Sequence, residues 1–122
     1  MSTTRILDKT DRVIEIVWEQ KASPDDFDRI TGEVKRFSKE LGGRFNVLVD
    51  MRSVKAFLPE SQAKLVEHQK DLLSFGMQRA AVVVQGAIAK MQLNRSSKQS
   101  ENAVESHWDS YEEALAFLKA NK

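Results

Sequence analysis

The chain contains no cysteine. That excludes disulfides, thiolate metal sites and cysteine nucleophiles, and it suits a reducing compartment. An excess of one charge is also missing: 19 lysines and arginines face 18 aspartates and glutamates, for a formal net charge of +1. Broad electrostatic capture of nucleic acid needs a strong basic footprint, so no nucleic-acid partner is expected. No apolar run approaches the ~20 residues of a membrane span. The opening Met1-Ser2-Thr3-Thr4-Arg5 lacks the apolar stretch of a secretory signal. The expected location is cytoplasmic, with peripheral association at a membrane as the variant. Histidine occurs only as His68 and His107. A metal site would have to add Glu67, Asp71 or Glu105, in a spacing that matches no recognised ligand set, and neither histidine follows a nucleophile in triad order. Gly42-Gly43 reads as a helix stop rather than a phosphate-cradling loop. No metal, no cofactor and no enzymatic activity are therefore expected.

What is present describes one α/β domain. The 122 residues suffice for a single layered core without metal or disulfide support. Arg5-Ile6-Leu7 and Val13 to Trp18 read as two strands joined by the polar turn Asp8-Lys9-Thr10-Asp11. A connection this short makes them a hairpin, because a parallel crossover needs about a dozen residues. Ser23-Pro24-Asp25-Asp26 starts a helix: serine caps free amides, proline tolerates the first turn, and the acids suit the positive end of the dipole. Phe27, Ile30, Val34, Phe37 and Leu41 repeat on its inner face. Phe45 to Val49 and Ala80 to Val84 are apolar runs without clean alternation, as in strands covered on both faces. Between them a helix runs from about Pro59 to before Gly76, with Leu65, Leu72 and Leu73 inside and His68 on nearly the same side. Ala87 opens a third helix reaching about Ser97. Ala103 to Trp108 reads as an edge strand. Ser110-Tyr111-Glu112-Glu113 predicts a capping box, with Glu113 reaching back to the serine, ahead of a last helix with Ala114, Leu115, Phe117 and Leu118 inside. The order β-β-α-β-α-β-α-β-α, with right-handed crossovers, predicts a five-stranded, mostly parallel sheet with an N-terminal hairpin and four helices.

That order resembles STAS-like proteins, which share the fold of the SpoIIAA anti-sigma-factor antagonists. The residues carrying the likeness are Val49-Asp50 at the third strand end, Gln69 on the second helix, Gly76-Met77-Gln78-Arg79-Ala80-Ala81-Val82-Val83-Val84, and Ala114-Leu115-Ala116-Phe117-Leu118. The pattern is most similar to the single-domain SpoIIAA-like branch and spans nearly the whole chain, residues 1–122. Antagonists of the family carry an Asp-Ser pair at the start of the second helix, and phosphorylation of that serine breaks the complex with an anti-sigma kinase. Here Leu58-Pro59 stands at that place, and neither Ser53 nor Ser61 matches the motif. The resemblance thus implies a non-enzymatic module. Its branch implies binding of an apolar small molecule or a membrane surface, through middle helices that open over the core. The alternative it implies is a protein-interaction regulator or homodimer scaffold without the phosphorylatable serine.

Two residue sets are the candidates. Phe57, Leu58, Leu65, Phe75, Ile88, Met91 and Leu93, with Met77 nearby, line the middle helices and their entries. Packed, they are core; exposed, they form an apolar interaction surface. Asp50, Arg52, Ser53 and Ser61 form the candidate partner face around the loop after the third strand. There Asp50 is also suited to cap its own turn or pair with Arg52. Lys90, Arg95 and Lys98 give the third helix a basic side suited to anionic lipid heads or an acidic partner. Trp108 is placed to staple the last helix to the sheet or to meet a second copy.

Overall fold

The structure, a computed structural model, describes residues 2–100 and 104–120. Strand β1 (Thr3–Asp8) turns back into β2 (Val13–Val17) as an antiparallel hairpin, closed by the Asp11 amide on Asp8 Oδ1 at 2.9 Å. Helix α1 (Pro24–Glu40), β3 (Phe45–Asp50), α2 (Pro59–Phe75), β4 (Met77–Val83), α3 (Ala87–Gln99), β5 (Glu105–Trp108) and α4 (Tyr111–Ala120) follow. The sheet order is β1-β2-β3-β4-β5, and β2 through β5 are parallel. Each crossover therefore returns to the adjacent strand. Right-handed crossovers of that kind put α1, α2 and α3 on one face, and α4, which follows the last strand, covers the other.

The pleat divides the core accordingly. Ile14, Ile16, Val47, Val49, Ala80 and Val82 pack with the α1–α3 layer, around Phe27, Ile30, Leu65 and Leu93. Val13, Leu48, Ala81 and Val83 pack with Ala114 and Leu118 of α4. Both faces of β3 and β4 are thus dry, which is why their sequences read as unbroken apolar runs.

Helix ends follow their local chemistry. At α1 the capping box is reciprocal: the Asp26 amide donates to Ser23 Oγ at 3.3 Å, and the Ser23 amide donates to Asp26 Oδ2 at 3.2 Å. At α4 only part of the expected box forms. The Glu113 amide donates to Ser110 Oγ, but the carboxylate that meets the serine hydroxyl is Glu112's. Leu58, the N-cap of α2, and Gly86, the N-cap of α3, supply no side-chain acceptor.

Boundaries moved where hydrogen bonding outlasts the hydrophobic pattern. β4 begins at Met77 and α3 runs on to Gln99. β2 stops at Val17, although the Trp18 amide still reaches Asp50 O at 3.0 Å. The expected start of the edge strand at Ala103 lies outside the described residues. Trp108 does staple α4: its ring centroid lies 5.1 Å from that of Phe117.

Candidate functional site

The parallel strands deliver four loops to one edge of the sheet, the edge where open α/β folds place their sites. The longest of these loops, residues 51–58, joins β3 to α2. Its anchor is Asp50, which accepts the Arg52 amide at 3.0 Å and the Arg52 guanidinium at 3.0 and 2.8 Å, a two-pronged fork. Turn-capping and ion pairing thus coexist. The Arg52 fork holds the Asp50 carboxyl below the usual carboxylate range. The same guanidinium sits 5.4 Å above the Tyr111 ring of α4.

Tyr111 in turn donates to Glu15, a carboxylate buried in the middle of β2 that also accepts Arg5 Nε at 2.8 Å. Burial, followed by the bond to Glu15, pushes the Tyr111 phenol up to about 12. Arg5, Glu15, Tyr111, Arg52 and Asp50 therefore form one polar strip on the α4 face, each group already occupied by a neighbour.

The remainder of the loop is clipped from both sides by glutamines. Gln20 donates to Ala56 O at 3.0 Å and accepts the Lys55 amide. Gln92, from α3, accepts the Phe57 amide at 2.7 Å and donates back to Phe57 O at 2.8 Å. Each side-chain amide imitates a strand partner, satisfying backbone groups that the loop would otherwise leave unpaired. Sequence reasoning missed both, because an isolated glutamine carries no positional signal. Gln92→Ala is expected to cost about 1–2 kcal/mol by stranding the part-buried Phe57 amide and carbonyl. Urea denaturation measures that loss, and faster hydrogen exchange at the Phe57 amide locates it.

The candidate partner face does not hold together as one surface. Ser61 is only 1% exposed, and its hydroxyl donates to Ala22 O at 3.0 Å beneath α1. Asp50 and Arg52 lie toward α4, on the other side of the sheet. Ser53 is exposed on the intervening turn. Ser61 is thus corrected from an exposed contact residue to a buried tie, since its hydroxyl in the first turn of α2 turns inward to the carbonyl that the loop before α1 offers.

The apolar candidates divide in the same manner. Phe57, Leu65, Leu93 and Met77 are buried, and Phe75 packs against the core partly buried. The void bounded by Leu65, His68, Leu72, Met77 and Leu93 measures about 20 Å³, room for about one water. Placing Leu65 and Leu93 in a ligand site is therefore a correction, because the α2 and α3 stripes close on the sheet, whereas Phe57, largely buried, also borders an open cleft. Leu58, Ile88 and Met91 are different. They are 65%, 55% and 56% exposed. Leu58 follows the residue clipped by Gln92, so the start of α2 is held against α3, the helix that carries Ile88 and Met91 in its first turns. Beside it, Ala22, Pro24, Phe57, Leu58, Glu60 and Ser61 line an open cleft of about 430 Å³.

Helix α3 contains no aspartate or glutamate, and it carries Lys90, Arg95 and Lys98. Lys90 pairs with Asp109 at 3.2 Å, while Arg95 and Lys98 are exposed. Its inner side is slight: Ala89, Leu93 and Ser96. A polar seam supplements it, in which Gln69 meets Ser97, Ser100 and Glu105. Ser97 and His107 both bond the same Glu105 oxygen. The serine therefore donates to the acid and not to the imidazole, unlike an activated nucleophile. Among the described residues no group of three or more His, Asp or Glu could hold a metal ion, and no helix is long and apolar enough to cross a membrane.

No protein-family profile matches the chain, and no curated protein matches it. The chain is similar to a solved structure, that of the protein TM1081, determined by NMR. The likeness has a TM-score of 0.63 at 15% identity and covers 100% of this chain and 90% of that one. At such identity the likeness establishes a shared α/β fold, five strands with four helices, and nothing of function.

Proposed function

We propose that this chain is a non-enzymatic STAS-like module that docks on an anionic membrane surface through the start of α2 and the outer face of α3. The observation that carries the reading is the coincidence of Leu58, Ile88 and Met91, all more than half exposed, with a helix whose charges are all positive. Ile88 and Met91 are followed on the same outer side by Arg95 and Lys98, at steps of three and four residues. Such a face inserts its apolar end among lipid headgroups while the basic end meets anionic ones. Topology supports the STAS-like part: an antiparallel hairpin leads a parallel sheet in sequential order, with α4 alone on the far face. Leu58-Pro59 and the buried Ser61 leave no hydroxyl at the family's switch position.

The test is co-sedimentation with vesicles of phosphatidylcholine alone and of phosphatidylcholine mixed with phosphatidylserine. Binding is expected only to the anionic vesicles, and it should weaken with added salt. The double substitution Ile88→Glu and Met91→Glu should reduce the bound fraction about tenfold or more, given ~1.5–3 kcal/mol for each apolar side chain fully buried. Absence of binding to either vesicle overturns the reading. A concentration-dependent dimer abolished by the same substitutions would assign the patch to a second copy instead.

A further inference from the structure

At the opposite edge of the sheet, where the parallel strands begin, lies a second pocket of about 300 Å³. Arg12, Arg44 and Arg79 line it, with Asn46, Gln78 and Thr10. Each arginine comes from a different strand end. Arg12 precedes β2, Arg44 precedes β3, and Arg79 lies early in β4. The sheet register brings them side by side: Asn46 is level with Val13 on one neighbour and with Arg79 on the other, and its amide bonds Arg12 O at 2.7 Å. Among the described residues Asp11 is the single carboxylate in the lining, so three arginines less one acid leave two net positive charges there.

Three features set this cluster apart from an ordinary charged rim. Of the other arginines, Arg5 holds Glu15, Arg29 holds Asp26 and Glu33, and Arg52 holds Asp50, whereas Arg36 and Arg95 are single exposed residues on helix faces. Among the described residues no carboxylate pairs with Arg12, Arg44 or Arg79. Arg12 and Arg44 are exposed, and a bound anion would relieve the repulsion among the three guanidiniums beyond what solvent screening does. Next, Arg12 adopts a left-handed backbone, φ 56°, the one non-glycine residue of the described chain to do so. Glycine or asparagine would take that turn position more cheaply. Finally, Asn46 Oδ1 is buried in the pocket lining without a hydrogen-bond partner. Its amide nitrogen has only a long 3.5 Å contact to Asp11 O. Turning the amide over would aim two N–H donors where the orphaned oxygen now sits.

We propose that this pocket binds a small phosphorylated molecule, a phosphate monoester or diphosphate held by the forks of Arg12, Arg44 and Arg79 with the Asn46 side-chain amide as a further donor. Guanidinium forks match phosphate oxygens two at a time. The volume lies at the low end for small-molecule sites, enough for a phosphate with a short organic group. The ligand is a soluble one and not a lipid head, because the pocket opens at the sheet edge away from Leu58, Ile88 and Met91. The site is independent of the membrane reading.

Pyrophosphate is the probe, titrated at constant ionic strength while the arginine Nε–H and asparagine side-chain signals are followed by NMR. Saturable shifts at Arg12, Arg44, Arg79 and Asn46 are expected, with a dissociation constant of about 1 mM or tighter. Arg44→Gln and Arg79→Gln should each weaken binding about tenfold or more, whereas Arg36→Gln, on the outer face of α1, should leave it unchanged. Arg12→Gly is the decisive variant. It relieves the left-handed arginine, so Tm should rise by about 3 °C while binding weakens; a merely structural arginine would not show that opposition. The vesicle-defective Ile88→Glu, Met91→Glu protein should bind pyrophosphate as the parent does. Shifts that stay linear to the highest soluble concentration, or that appear equally at Arg36 and Arg95, would overturn the proposal.

Discussion

Gly76→Ala is expected to destabilise the domain by about 3 kcal/mol or more and to lower Tm by about 10–15 °C. Gly76 ends α2 in a left-handed conformation, φ 110°, its amide bonded to Leu73 O at 3.2 Å, and its own carbonyl receives the Phe45 amide at 3.3 Å. The chain must reverse there and enter β4 at once, and it passes against the glycine turn that starts β3. A Cβ built on Gly76 would lie 1.9 Å from the carbonyl oxygen of Gly43 and 2.9 Å from its carbon. Both obstacles are backbone, so no side-chain rotation relieves them. Gly42 and Gly43 provide the control. They have comparable positive φ, 81° and 82°, but open space where a Cβ would go. Alanine at either should cost only the conformational penalty, about 1–2 kcal/mol. The difference between Gly76→Ala and Gly43→Ala in urea denaturation isolates the contact. Equal losses at both positions would show that the turn yields and that the close approach is not a constraint.

That contact illustrates which parts of the molecule were legible in the sequence. Gly42-Gly43 and Gly76 were readable as helix stops, because glycine takes left-handed caps cheaply. Their meeting across two connections was not. Local signals carried the element order, the hairpin, the Ser23 cap and the two-sided burial of β3 and β4, since each rests on a few adjacent residues. They failed where the outcome depended on neighbours distant in sequence. Leu93 and Met91 are both apolar and two residues apart, which turns them to opposite sides of α3: the first is core and the second is solvent-facing. Without the partner surface their order is undecidable. Ser61 looked presentable until the loop before α1 supplied Ala22 O. The glutamine clips and the three-arginine pocket are purely lateral. Arg12, Arg44 and Arg79 belong to separate strand ends, and only the register of β2, β3 and β4 makes them neighbours. His68 is the opposite case. Its place between Leu65 and Leu72 on the inner stripe foretold burial, and burial determines its chemistry.

The domain should lose stability as pH falls below about 6.5, with His68 as the cause. The imidazole is 3% exposed, its Nδ1 lies 2.8 Å from Thr31 Oγ1, and Trp18 and Phe27 present their rings at 5.3 and 6.2 Å. Burial in that aromatic setting pushes its pKa down from 6.5 to about 3. The folded state therefore keeps His68 neutral while the unfolded chain takes up a proton below its ordinary value. Between those values the unfolded state binds one more proton, so folding stability declines with acidification and is fully present only above pH ~6.5. Each pH unit in the window is worth ~1.4 kcal/mol, so the loss from pH 6.5 to 5 should be about 2 kcal/mol. Asp50, whose pKa is depressed by Arg52, loses its contribution only at lower pH, as the carboxylate itself protonates. Urea denaturation at pH 7, 6 and 5 therefore reads mainly the histidine. His68→Leu should flatten the profile over that range. At pH 7 its effect should be small, because Thr31 is part-exposed and can turn its hydroxyl to water. An unchanged slope in His68→Leu would assign the acid sensitivity elsewhere. A flat profile in the parent protein would mean that the α1–α2 layer admits water to the imidazole and that the core beneath those helices opens in solution.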